Sequence, residues 1–206
     1  MIKIDLRTNF GAVQMRLNQL QKDLGDRAMA SAINKTIDLG RTQMIRGITD
    51  EFAVKAGYVR ARLRARRASS KQGRFSVEGS LIGGKRGAKR SANIIAFVER
   101  SVTLAEAKRR RKAGTLDRIF VKVKRKGPRK ALREGAFIAN KGRTVFERVG
   151  KARLPIKPMQ VIDVAQMFNT KRISKPVQAF MQARFPGVFK REARFYIQRF
   201  NNRGTK

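Results

Sequence analysis

The charge balance of this chain constrains its fold more than any other feature. Its 206 residues carry 50 lysines and arginines against 14 aspartates and glutamates, a formal net charge of +36. Like charges at that density repel one another and oppose compaction. The chain is therefore expected to sit beside an anion: nucleic acid, an anionic membrane surface or an acidic protein. A hydrophobic content of 41% with 13 phenylalanines supplies enough apolar surface to offset chain entropy. The length suits one ordinary domain with a real core.

The residue types that are missing narrow the function. The chain has no histidine, cysteine or tryptophan. Disulfide scaffolds, zinc fingers, histidine-based triads and cysteine nucleophiles are thereby excluded. General acid–base or two-metal chemistry needs convergent carboxylates. Here Asp50 and Glu51 adjoin and would diverge on a helix, while Glu99, Glu106, Asp117, Glu134 and Glu147 are scattered among basic or strand-like segments. No enzymatic activity, cofactor or metal is expected. The longest apolar run, Ile94 to Val98, is strand-sized, far short of the roughly 18 to 20 residues of a spanning helix. Lys3 and Asp5 interrupt any signal-peptide core at the start. No membrane partner is expected.

Local patterning predicts both helices and strands. Met1 to Leu6 alternates apolar and polar, as a half-buried strand does. Val13, Leu17, Leu20 and Leu24, then Ala28, Ala32, Ile33, Ile37, Met44 and Ile48, recur at helical spacing. They predict two consecutive helices, punctuated at Gly25, or one long bent helix over about 10–48. Thr49, Asp50 and Glu51 resemble the capped, acidic start of a further helix. Phe52, Ala56, Val59 and Leu63 would be its apolar face, and arginines through Arg67 would cover the remainder. Strands are predicted around Phe75 and Val77, over Ile94 to Val98 and over Ile119 to Val123. A hairpin joins 136–139 to 144–148 through Asn140 and Gly142, and a last short strand covers 159–164. Thr103 to Lys112 reads as a short helix or extension. Gly83 and Gly84 open a basic loop that lacks P-loop spacing. Ser174 and Pro176 suit the start of a C-terminal helical segment, which Pro186 and Gly187 should interrupt.

The expected architecture is α+β: N-terminal helices and a C-terminal helical segment packed on a small, mostly antiparallel sheet, with basic loops or arms. Residues 1–206 are read as a single domain, with 104–132 as a basic arm or extended hairpin within it. Four cationic groups are the candidate contacts for DNA or another anionic partner. They are Arg60, Arg62, Arg64, Arg66 and Arg67; Lys85, Arg86, Lys89 and Arg90; Lys108, Arg109, Arg110, Arg111 and Lys112; and Lys124, Arg125, Lys126, Arg129 and Lys130. Such groups can also be plain solvated surface, but a solvated face normally mixes signs. Phe185, Phe189, Ile197 and Phe200 follow helical periodicity and are candidates for core or subunit contact.

Several segments together resemble the minor tail protein Z family of lambda-like long-tailed bacteriophages, a group of tail completion proteins. They are Ala28-Met29-Ala30-Ser31-Ala32-Ile33-Asn34-Lys35-Thr36, and Val54-Lys55 running into Arg60-Ala61-Arg62-Leu63-Arg64-Ala65. Further on come Gly135-Ala136-Phe137-Ile138, Val145-Phe146-Glu147-Arg148-Val149-Gly150-Lys151, Leu154-Pro155-Ile156-Lys157 and Arg184-Phe185-Pro186. These are structural landmarks in matching order over roughly 28–200, not catalytic fingerprints; Ala105 to Lys130 departs from the family pattern. The resemblance implies a virion protein, made in the host cytoplasm and added late at the head-proximal end of the tail. Its implied partners are tail terminator, tail tube and connector proteins, in a homo-hexameric ring with possible non-specific contact to DNA. The alternative on composition is a non-viral nucleic-acid-binding protein, ribosome- or nucleoid-associated. It lacks a helix-turn-helix, zinc-finger or RNA-recognition aromatic signature.

Overall fold

A computed structural model of the chain describes residues 2–5, 22–71, 74–76, 80–83, 91–98, 119–133, 135–150 and 152–202, together with Arg109. The fold is α+β, and every strand pairing among the described residues is antiparallel.

The apolar stripe predicted near the N-terminus folds as one helix, α1 (Lys22–Glu51). Gly25 does not break it; the expected helix over 10–21 lies outside the described residues. Ala28, Ala32, Ile33, Ile37, Met44 and Ile48 are all buried, which a 3.6-residue period places on one face. That face packs on α4 (Lys171–Asn201). Gly47 lies beside Ile173, Gly40 beside Met181, and Ser31 and Lys35 beside Glu192, so the two helices run antiparallel. The expected break at Pro186 and Gly187 does not occur. Both residues face solvent, so the hydrogen bond that proline cannot make is lost where water can satisfy the carbonyl. The helix starts earlier than expected, with Thr170 in the cap position in place of Ser174.

Thr49, Asp50 and Glu51 end α1 instead of starting a new helix. Carboxylates there oppose the helix dipole, and Arg125 compensates. Its Nη1 donates to the Thr49 carbonyl at 2.9 Å, and its backbone N–H donates to the Glu51 carbonyl at 2.9 Å. The helix expected over 52–67 is likewise overturned. It shrinks to α2 (Ala56–Arg60), followed by the strand β2 (Leu63–Arg66). Leu63 and Ala65 alternate with Arg64 and Arg66, a period of two as well as a fragment of a helical one. Pairing decides the matter: β2 and β1 (Ile2–Asp5) flank β5 (Ser80–Gly83) in a three-stranded sheet. Gly83 is the last residue of β5, and the rest of the loop expected over 83–90 lies outside the described residues. A Cβ at Gly83 would lie 2.8 Å from Phe168, which belongs to α3 (Val164–Phe168).

Two short pairs also form, β3 (Ser69–Lys71) with β4 (Arg74–Ser76) and β7 (Phe120–Val121) with β8 (Lys130–Ala131). The strand expected over 94–98 sits just upstream as β6 (Ser91–Asn93), followed by a 3₁₀ turn, Ile94–Phe97. The Asn93 side chain accepts from the Ile95 N–H at 3.0 Å and so caps that turn. The predicted hairpin forms as β9 (Phe137–Ala139) and β10 (Thr144–Arg148). Asn140, Lys141 and Gly142 all take positive φ in its turn. Beside β10 lies β11 (Ile156–Pro158), and β12 (Gln160–Ile162) pairs with β6. The last expected strand therefore stops at Ile162, and α3 follows after Asp163.

Among the described residues there are two apolar clusters. The larger joins α1, α3 and α4 to Val59, Leu63 and Phe97. The smaller centres on Ile94, Val121 and Val145 beneath the β9–β10–β11 sheet.

Candidate interaction surfaces

The arginine run at 60–67 divides once it is folded. Leu63 is buried and Ala65 half-buried, so Arg64 and Arg66 stand on the solvent side of β2. The Arg62 guanidinium lies 3.6 Å from the centre of the Tyr58 ring, and its Nε is 3.8 Å from Oδ1 of the buried Asp163. Burial raises the Tyr58 hydroxyl above its ordinary pKa; Arg62 opposes that rise and Asp163 adds to it. Arg67 makes a fork of bonds at 3.0 to 3.2 Å to Asp38 on α1. Arg62 and Arg67 therefore tie β2 and its approach to the helices. Arg60, Arg64 and Arg66 are exposed, with no carboxylate partner among the described residues.

The basic segment at 124–130 divides in the same way. Arg125 holds the end of α1, and Arg129 stacks over Phe120 at 4.1 Å. Lys124 forms an isolated bridge to Phe52 through its backbone, leaving its side chain, with Lys126 and Lys130, on the surface. Lys124 and Lys126 line a cleft of about 500 Å³ with Asp50 and Glu51 of α1 and Arg172 of α4. Its mixed signs make it a poor seat for a polyanion. Arg109 is exposed. Lys85, Arg86, Lys89 and Arg90, and Lys108, Arg110, Arg111 and Lys112, lie outside the described residues.

The long helix α4 carries a charge feature that reading for runs of cations misses. Lys171, Arg172, Lys175, Arg184, Lys190, Arg191, Arg194 and Arg199 are all exposed along it. Its one acid, Glu192, points inward. Glu192 accepts from Lys35 Nζ at 2.6 Å and from Ser31 Oγ at 2.7 Å, both on α1. Burial pushes this carboxyl up, but the bonds from Lys35 and Ser31, with the charges of Lys35 and Arg191, outweigh it. They hold it below the usual carboxylate range. A folded pKa below the unfolded one means the stabilisation is present above the unfolded value and lost as pH falls through the folded one. Glu192→Gln is accordingly expected to lower stability most near neutral pH. Urea denaturation at descending pH should show the gap to wild type closing in acid.

The four apolar candidates on α4 also separate. Phe185 and Phe189 are buried and stacked, their centroids 6.2 Å apart, within the core shared with α1. Their burial places them inside the subunit, out of direct reach of a neighbour. Ile197 and Phe200 are exposed near the end of the helix. A second apolar surface, on the β9–β10–β11 sheet, had no signal in periodicity because its residues come from three short strands.

Four of the described carboxylates each pair with a neighbouring cation. Glu192 pairs with Lys35, Asp38 with Arg67, Asp163 with Arg62, and Glu147 with Lys157. Among the described residues no three histidine, cysteine or acidic side chains are grouped to hold a metal ion. None of the described helices is long and apolar enough to cross a membrane. A family model described as prophage minor tail protein Z matches residues 11–203. Neither the curated proteins nor the solved structures contain a match.

Proposed function

Because the chain belongs to the prophage minor tail protein Z family, and is thus a structural protein of a phage tail, we propose that it completes the tail at its head-proximal end. There it is a subunit of a homo-hexameric ring, joined to the tail terminator, tail tube and connector proteins. A closed ring needs a heterologous interface, one patch on each subunit meeting a different patch on the next.

The observation that carries this reading is the unequal use of charge. Asp38, Glu147, Asp163 and Glu192 are taken up by internal pairs, while Arg60, Arg64, Arg66 and the cations of α4 remain exposed. Their mutual repulsion is relieved only by external anions. In a tail these are acidic neighbouring proteins and the DNA that enters the channel. Immunogold electron microscopy of intact virions tests the position. Label confined to the head-proximal end of the tail is expected; label along the tube, at the distal tip or nowhere on the particle overturns it.

The DNA contact has a separate test. Affinity for random duplex DNA should fall steeply with salt and show no sequence preference. Replacing Arg60, Arg64 and Arg66 together by alanine should flatten the plot of log affinity against log salt by about 0.9 for each phosphate that is no longer neutralised. An unchanged slope would assign these arginines to protein partners instead.

A further inference from the structure

We propose that the outward face of the β9–β10–β11 sheet is the docking surface for a different protein, one that is acidic around an apolar patch. The proposal rests on the tail reading above, which supplies the setting, and adds the face and the chemistry of its partner.

Residues directly opposite one another in an antiparallel ladder share a face. Phe137 is opposite Phe146, Phe146 is opposite Pro158, and Arg148 is opposite Ile156. These five residues therefore form one side of the sheet. The other side carries Val145 and Ile138 into the smaller core. Neither core includes Phe137, Phe146 or Ile156. Ile156 is 39% exposed, and the tip beyond the strands adds Val149 at 54% and Leu154 at 67%. Neighbouring exposed aliphatics of this size are what a protein interface buries. Arg148 lies on this face, Arg153 is exposed in the same tip, and Arg143 is exposed in the turn at the other end of β10. The carboxylate of these strands, Glu147, lies on the opposite face and is paired with Lys157 at 3.0 Å. An apolar centre with a cationic rim selects an acidic rim on its partner.

The same details argue against other occupants. Phe137 and Phe146 stack on each other at 6.0 Å, and Arg148 sits over Phe137 at 5.1 Å. The rings are thus already engaged, and the most exposed side chains are aliphatic, which does not suit base stacking. A second copy fits poorly too. The exposed apolar residues at the end of α4, Phe195, Ile197 and Phe200, lie among Arg194 and Arg199, so mating the two surfaces would bring cations together. Addition of a strand at the β11 edge is hindered by Pro155 and Pro158, which have no N–H to donate.

Site-specific photo-crosslinking in assembled particles tests the proposal, with benzoylphenylalanine replacing Leu154. The expected product joins this chain to a different tail protein through a peptide rich in aspartate and glutamate. The double variant Leu154→Ser, Ile156→Ser should enter particles at least about tenfold less well. Its thermal midpoint should match wild type, since both side chains lie outside the cores. A crosslink to a second copy or to DNA, no crosslink in particles that contain the protein, or wild-type incorporation of the double variant would overturn the proposal. A correct crosslink on a protein found away from the head-proximal end overturns only the positional reading. Absence of the protein from particles overturns both.

Discussion

Phe185→Ala is expected to destabilise the protein by about 3–5 kcal/mol, measured as a shift in the urea midpoint at constant slope. Phe185 is 1% exposed and lies where α4 packs on α1, stacked on Phe189. Truncation removes the transfer free energy of the ring and leaves a void that two long helices, fixed along their length, cannot close. Phe200→Ala is the matched control: the same chemistry on the same helix, but 47% exposed. Its effect should stay within about 0.5 kcal/mol, as for surface positions generally. A domain is stable by only about 5–15 kcal/mol, and the surplus positive charge lowers that margin. The Phe185 variant should therefore also fail to enter tails, through lack of folded protein. Equal effects at the two positions would contradict the assignment of Phe185 to the interior.

Gly40→Leu should be the second most damaging change, because it acts on the close approach of the two long helices. A Cβ at Gly40 would lie 2.7 Å from Cγ of Met181, a side chain that is itself buried. Replacing glycine in a helix interior by a good helix former gains about 1 kcal/mol of propensity. Overpacking a filled core costs about 1–3 kcal/mol, and leucine adds three carbons beyond the Cβ into space that Met181 fills. The clash prevails, and a net loss of up to about 2 kcal/mol is expected by thermal or chemical denaturation. Gly47→Ala probes the same seam more gently, since its Cβ would be 3.1 Å from a methyl group of Ile173. There the propensity gain should roughly balance the crowding. A stabilised Gly40→Leu variant would mean that the helices can separate without penalty.

Much of the fold was legible wherever local signals agreed. The stripe of α1, the hairpin around Asn140 and Gly142, and the start of β1 follow periodicity and turn chemistry directly. The failures have a common cause in signals that fit two structures equally well. Leu63-Arg64-Ala65-Arg66 satisfies a strand period as well as the end of a helical one, and pairing with β5 chose the strand. Asp50 and Glu51 look like a helix start, yet Arg125, far along the chain, makes them tolerable at a helix end. Pro186 looks like a break, but α4 runs through it on the solvent face, where water can satisfy the carbonyl left unpaired.

The charged surfaces follow the same rule. Runs of cations are visible in one dimension, but whether a given arginine is bound internally depends on where the few acids lie after folding. Arg62 and Arg67 differ from Arg64 and Arg66 in having Asp163 and Asp38 within reach. The cations of α4 give no such linear signal, because they are spread along the helix and never more than two stand together.

Taken alone, the sequence determined the class of molecule: a folded, strongly cationic α+β chain without histidine or cysteine chemistry, bearing the landmarks of a phage tail family. Composition and short-range periodicity suffice for that, since they depend on residue type and nearest neighbours. The tertiary structure alone decided which cations are neutralised, which phenylalanines lie inside, and which sheet face is left uncovered. Those outcomes are set by ion pairs and packing between residues far apart in the chain, whose energies depend on distances that only the folded state fixes.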